Sequence, residues 1–291
     1  MKKLMFGMAA ALALCGMADI ESKNVVGYQT KELEKGKFAI AGIQFEGTDG
    51  SMDINKLASG LTGVSYAEYG ADFVSVAPQI QVPSADGVGY DIYYYLTDGF
   101  YIDDDGNELE KPGWCDAGGT IAGNVAAGAL VSGELISGVA IWVKDAQDSE
   151  TFTQAGQVSA EESVQVDVPK TFVLRTHAFP VSFNLNDDSK ITFTGLTPAS
   201  YAEDGSAFTE KAPQIQVPSA DGVGYDIYYY LTDGFYIDNQ GNELEKPGWC
   251  DAGGTIAGNV AAGALVSGDV PAGFGFWAKG VGSNFKITFK K

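Results

Sequence analysis

A stretch of 57 residues occurs twice in this chain. Ala77–Gly133 returns at Ala212–Gly268, shifted by 135 positions, and the copies differ only at Asp104 (Asn239) and Asp105 (Gln240). Segments this alike share every local preference, so the fold must accommodate the same unit twice. The correspondence reaches further in diluted form. Thr62–Phe73 aligns with Thr197–Phe208, Lys37–Ile40 with Thr171–Leu174, and Val139–Lys144 with Phe274–Lys279. Each unit is therefore about 125–140 residues long, an ordinary size for one domain. Units of this length, present twice, do not make a short-repeat solenoid. We expect domains at 19–161 and 162–291, with the polar stretch Asp145–Ser163 holding the junction.

Local patterns predict strands. Val76–Val82 alternates before Pro83, Gly89–Leu96 is dense in Tyr and Ile, and Asn284–Phe289 alternates at the end of the chain. Turn residues separate the runs: Ser84–Gly87, Asp98-Gly99, Asp105-Gly106-Asn107 and Pro112-Gly113. Glycine at 38 of 291 residues is high and suits a turn-rich chain. Many short strands with closely spaced turns predict an all-β protein, two tandem β-sandwich or barrel-like domains. No convincing amphipathic helix is present; Ser51–Leu61 and Thr120–Leu130 have room for a turn or two.

The first residues read as a cleavable signal peptide over 1–18: basic Lys2 and Lys3, an apolar run Leu4–Leu14, and small residues ending at Ala18. Cys15 raises lipidation, against which stands the bulky Leu14 before it. No apolar run is long enough for a membrane span. We expect a secreted or cell-envelope protein. Cleavage leaves 16 basic against 38 acidic side chains. That excess repels nucleic acid and anionic membranes, so neither is expected as a partner.

The start Val25-Val26-Gly27-Tyr28-Gln29, the core PQIQV…GYDIYYYL…GW, and the later Gly-x-x-x-Trp resemble a class of exported, β-rich, repeated bacterial proteins to which no activity is assigned. The resemblance implies export and β architecture. It brings no catalytic residues with it.

Candidate sites follow from the repeat. In Tyr90–Leu96 alternation puts Tyr90, Ile92, Tyr94 and Leu96 on one face, and Asp91, Tyr93 and Tyr95 on the other, which we expect to face outward. As a binding surface this gives Tyr93, Tyr95 and the loop residue Trp114, with Tyr228, Tyr230 and Trp249 in the second copy; Asp91 or Asp98 would accept sugar hydroxyls. The alternative is a strand between two packed layers, its hydroxyls satisfied at the rim. Asp103–Glu108 has the carboxylates of a calcium loop but the wrong spacing, and a hairpin turn around Gly106 explains both copies. Glu110–Asp116 carries Trp114 as a binding edge or a core plug. Cys115 and Cys250 occupy matching places; two separate half-buried thiols are expected, with a bridge between the copies as the alternative, and their acidic neighbours work against thiolate formation.

Residue counts restrict chemistry. The chain has one His, His177, and one Arg, Arg175. A Ser–His–Asp site has only His177 to use, and a multi-histidine zinc site is excluded. No metal-ligand pattern, phosphate-binding Gly loop or nucleophile elbow is present, so neither metal nor cofactor is expected. The expected function is that of an exported, non-catalytic structural or adhesive protein at the cell surface, contacting an extracellular glycan or protein. The alternatives are a carbohydrate-binding module with tyrosine platforms and a secreted glycan hydrolase, which needs two carboxylates facing across a cleft.

Overall fold

The computed structural model describes residues 26–46, 52–57, 60–84, 89–124, 134–135, 137–219, 224–262 and 266–291. The proposed signal segment lies outside the described residues. What is described is mostly β, arranged in several sheets, none of which closes into a barrel.

The first half contributes a five-stranded antiparallel sheet. Its strands are β2 (Phe38–Gly42), β4 (Gln79–Pro83), β5 (Tyr90–Ile102), β6 (Glu108–Cys115) and β8 (Ala140–Lys144), in the order β2-β8-β4-β5-β6. A second layer pairs β1 (Val26–Glu32) with β9 (Thr151–Gln157), and a short ladder joins β3 (Met52–Asp53) to β7 (Glu134–Leu135). The second half repeats the large sheet with β11 (Val173–Thr176), β14 (Gln214–Pro218), β15 (Tyr225–Ile237), β16 (Glu243–Cys250) and β18 (Gly275–Lys279), in the order β11-β18-β14-β15-β16. Its smaller layer is β10 (Ser163–Val168), β19 (Phe285–Lys290) and β13 (Ile191–Thr194), and β12 (Phe183–Asn184) pairs with β17 (Asp269–Val270).

Registers match between the copies. Ile80 stands opposite Tyr93 and Ile215 opposite Tyr228; Tyr95 stands opposite Trp114 and Tyr230 opposite Trp249. In each copy the long hairpin slips register at one place, between Leu96 and Gly99 or between Leu231 and Gly234. Glycine is required there sterically: a Cβ on Gly99 would lie 2.5 Å from the Cys115 sulfur, and one on Gly234 2.4 Å from that of Cys250.

Each large sheet turns one face to its own small layer. In the first half Ile80, Tyr93, Trp114, Ile141 and Val143 pack with Leu33, Phe45 and Phe152. In the second half Ile215, Tyr228, Trp249 and Phe276 pack with Phe179, Phe285 and Phe289. The opposite face is covered at its far end by a single-turn helix, α1 (Tyr66–Tyr69) or α2 (Tyr201–Asp204). The 3-10 turn after α1 brings Phe73 down on Tyr94; after α2, helix α3 (Phe208–Lys211) brings Phe208 down on Tyr229. Sequence patterning missed these helices. In the predicted turn at Ser51–Leu61 the structure has a 3-10 turn at Ile54–Lys56.

One expectation needs correction. Alternation divided the tyrosine strand correctly, but the face carrying Tyr93 and Tyr95 points into the core. Within Asp145–Ser163 the structure has β9, part of the first half's small layer, and β10 of the second half begins at Ser163.

The two halves touch through the near ends of the large sheets. Thr176 N–H donates to Gly138 O at 3.1 Å, Gly42 N–H to Gly273 O at 3.2 Å, and the buried Gln44 amide to the carbonyls of His177 (3.0 Å) and Phe179 (2.8 Å). Ile40, Ala140 and Leu174 form a small shared apolar cluster with Trp142 and Trp277 against it. Among the described residues, no helix is long and apolar enough to cross a membrane.

Candidate functional site

The six residues expected to bind lie in or against the cores. Tyr93 and Tyr228 are each 4% exposed, and Trp114 and Trp249 are completely buried. Tyr95 and Tyr230 are half-buried, their rings 5.4 and 5.3 Å from those two indoles. The Tyr228 hydroxyl accepts from the Gly268 N–H at 2.7 Å. The faces expected as platforms at Tyr93/Tyr95 and Tyr228/Tyr230 pack in or against the cores instead of standing out in solvent. The strand between two packed layers describes both copies, and Trp114 is a core plug. Its indole N–H, like that of Trp249, has no acceptor. Leaving such a donor unpaired costs about 1–3 kcal/mol, which burial of the large ring must offset.

The reactive residue types are committed elsewhere. Cys115 and Cys250 are free thiols, wholly buried, and each is pushed up to about 12, by burial first and then by nearby aspartates. His177 is buried among Phe179, Phe183 and Phe289. Its Nε2–H donates to Lys190 O at 3.0 Å, while Nδ1 accepts from the Phe179 N–H at 3.2 Å, and burial holds the ring below its ordinary pKa. Arg175 donates to the carbonyls of Asp167 and Leu174, and burial brings its guanidinium down to about 10.

The candidate carboxylates have structural work. Asp98 accepts from Ser65 Oγ (2.6 Å), Tyr66 N (2.6 Å) and Ala67 N (2.9 Å), tying α1 to β5; Asp233 does the same for α2. Asp103 accepts from the backbone of Asp105 and Asn107 and from the Asn107 amide, closing the hairpin in which Gly106 has φ +83°. Among the described residues no group of His, Cys, Asp or Glu side chains is placed to hold a metal ion.

Where the halves meet, the structure opens a cleft of about 760 Å³ that sequence reasoning did not find. One wall comes from β1, β2 and β8 of the first half and carries Lys31, Phe38 and Trp142; the other comes from β14 and β15 of the second half and carries Tyr225, Asp226 and Tyr228, the one expected binding residue that reaches the cleft, with Asp269 beside it. Phe38 is 42% and Tyr225 38% exposed. Asp226 Oδ1 accepts from Ser219 Oγ at 2.9 Å and Asp269 Oδ1 from Asn184 Nδ2 at 2.8 Å; each carboxylate has a second oxygen outside these bonds. Lys31 enters none of the ion pairs among the described residues. Its ammonium lies over the Phe274 ring at 4.3 Å, and burial lowers its pKa. A signal for this residue did exist. Lys31 pairs with Phe152 and Val166 with Ile287, equivalent positions, so the buried valine of one copy is a lysine in the other.

Compared with known proteins, the chain matches no family model, no curated protein and no solved structure.

Proposed function

We propose that this chain is an exported, non-catalytic protein of the cell surface or extracellular space, acting by contact as a structural or adhesive component. In this reading each half is a β-sandwich unit derived from a duplicated ancestor. One observation carries the proposal: the two mature thiols and the only imidazole, the side chains best suited to nucleophilic or acid–base chemistry at neutral pH, are sealed in apolar surroundings. The basic start and apolar run of the first 18 residues support export, and the acidic balance supports a solvated surface outside the cell.

The test has two parts. Fractionation of expressing cells should place the processed chain in the envelope or medium. The purified chain should release no product from polysaccharide or ester substrates. Retention in the cytoplasm would refute export, and turnover abolished by a single Asp or Glu substitution would refute the non-catalytic reading.

A further inference from the structure

The two copies are nearly identical in sequence, yet their surroundings differ where the halves meet. Tyr90 of the first copy packs edge-on against Trp277 of the second half, with ring centroids 6.4 Å apart at 89°. The symmetric counterpart would be Tyr225 on Trp142. These two rings do not meet; both line the cleft instead. The contact is closed on one side of the molecule and open on the other. Two equal sites become one composite site, built from β1, β2 and β8 of one half and β14 and β15 of the other.

The lining restricts what fits. A carboxylate only accepts hydrogen bonds and an ammonium only donates them. A ligand that serves Asp226, Asp269 and Lys31 together must both donate and accept, as a hydroxyl does. A cationic ligand would meet Lys31, which is half-buried and has no carboxylate partner. An anionic ligand would meet Asp226 and Asp269 on a chain of net charge −20. The exposed rings of Phe38 and Tyr225 favour a flat apolar face, and the C–H face of a pyranose sets weakly positive hydrogens against the negative face of an aromatic ring. The volume lies within the range of about 300–1,000 Å³ that receives small ligands.

We propose that this cleft binds a short, uncharged oligosaccharide, one pyranose face against Tyr225 and its hydroxyls shared between Asp226, Asp269 and Lys31. The inference rests on the contact reading above and gives that contact a chemical class. It moves recognition from the Tyr93/Tyr95 and Tyr228/Tyr230 faces to the seam between the halves, where the start of β15 meets the first half, and makes it single rather than double.

The repeat supplies the control. Asp91 and Asp226 have the same neighbours in sequence and the same bond to a serine, Ser84 or Ser219, both at 2.9 Å, but only Asp226 lines the cleft. The full processed chain is titrated calorimetrically with cellobiose, maltose, lactose and N,N′-diacetylchitobiose, and with a glucuronate-containing and a glucosamine-containing disaccharide. Trp142 fluorescence is followed in parallel. The expected result is saturable binding of at least one neutral disaccharide at one site per chain. Tyr225→Ala and Asp226→Asn should each weaken it by about ten-fold or more, a loss of about 1.4 kcal/mol, and Asp91→Asn should leave it unchanged. Lys31→Val, which installs the residue of the other copy, should weaken it with the fold intact by circular dichroism.

Binding of none of the neutral sugars at millimolar concentration overturns the inference. So does a preference for the charged disaccharides, or binding that Asp91→Asn weakens as much as Asp226→Asn. Product release from a bound disaccharide would support the site while refuting the non-catalytic reading, so the two fail separately. Adhesion without sugar binding would preserve the contact function and overturn the cleft.

Discussion

The indoles of Trp142 and Trp277 meet across the two halves, ring centroids 6.0 Å apart at 53°. Each also carries a phenylalanine of its own half edge-on, Phe38 at 6.1 Å and Phe172 at 6.3 Å. Four aromatic side chains thus form a line through the seam, and two equivalent positions from a repeat serve as each other's partner. Such a pair adds about 0.5–1.5 kcal/mol beyond the area it buries. In chemical denaturation, Trp142→Ala and Trp277→Ala should each destabilise by about 2–3 kcal/mol, toward the lower end for large-to-small changes because both rings are only partly buried. The double variant should lose about 0.5–1.5 kcal/mol less than the sum. Strict additivity would mean that the halves do not support one another through these rings.

The acid limb of stability should report the helix caps. Burial pushes Asp98 up, but the bonds from Ala67, Ser65 and Tyr66 together outweigh it and hold the carboxyl below its ordinary value; Asp233 is held low in the same way by Ala202, Tyr201 and Ser200. A carboxyl lowered on folding adds stability that is complete above its unfolded pKa, about 3.9. That stability is lost as pH falls through the folded value. Asp98→Asn with Asp233→Asn should therefore flatten the decline of melting temperature below about pH 4. At neutral pH each Asp→Ala should cost about 1–2 kcal/mol, the value of a cap. An unchanged acid limb in the double Asn variant would show that other groups set it.

These caps also show where the sequence was legible. The turn at Asp103–Asn107 could be read because the residues that make it are adjacent: Asn107 and Gly106 supply a hydrogen bond and a positive φ within one hairpin. Helix α1 could not, because it is a single turn held by a carboxylate 32 residues away in sequence. The period-two pattern of the tyrosine strand gave the two faces but not which was inside, since tyrosine is apolar enough for a core and polar enough for a rim, and both faces carry it. The cleft was hidden for a different reason. Near-identity of the copies argues for identical sites, whereas the difference between Tyr90 and Tyr225 lies in what the opposite half presents to each.

A pair of carboxyls at the start of β9 should respond in opposite senses. Asp145 is buried and is pushed up by that burial and by Glu150 beside it, although its Oδ1 accepts from Gln147 N at 2.9 Å. Glu150 is pushed up by burial as well, but bonds from Thr62 and Asp145 outweigh this and hold it low; it accepts from Thr62 N at 2.7 Å and Thr62 Oγ1 at 2.5 Å. An acid raised on folding favours the fold at low pH and opposes it as pH rises; one held low does the reverse. Asp145→Asn keeps the acceptor and offers Glu150 a permanent donor, so at pH 7 the variant should be at least as stable as the parent. Glu150→Gln should be destabilised by about 1–2 kcal/mol, because a charged acceptor is lost from two hydrogen bonds. The reverse ranking in urea melts would mean that Asp145, not Glu150, is the anchoring carboxylate.

Gly99 and Gly234 give the sharpest steric test of the repeated hairpin. Gly99 sits at the register slip, where an added Cβ would also lie 2.9 Å from Ile121 Cγ1; for Gly234 the Ile256 Cδ1 lies at the same distance. Both neighbours are buried side chains in a packed satellite core and have little room to yield. Gly99→Ala should therefore destabilise by about 1–3 kcal/mol, the usual penalty for overpacking. The Cys115→Ala change should restore part of that loss, because the sulfur is the nearest atom to the new methyl group. Gly106→Ala makes the contrast: its hypothetical Cβ meets nothing within 4 Å, so its cost comes from the positive φ alone and Cys115→Ala should give no rescue. Equal rescue at both positions would place the strain in the backbone rather than in the contact with sulfur.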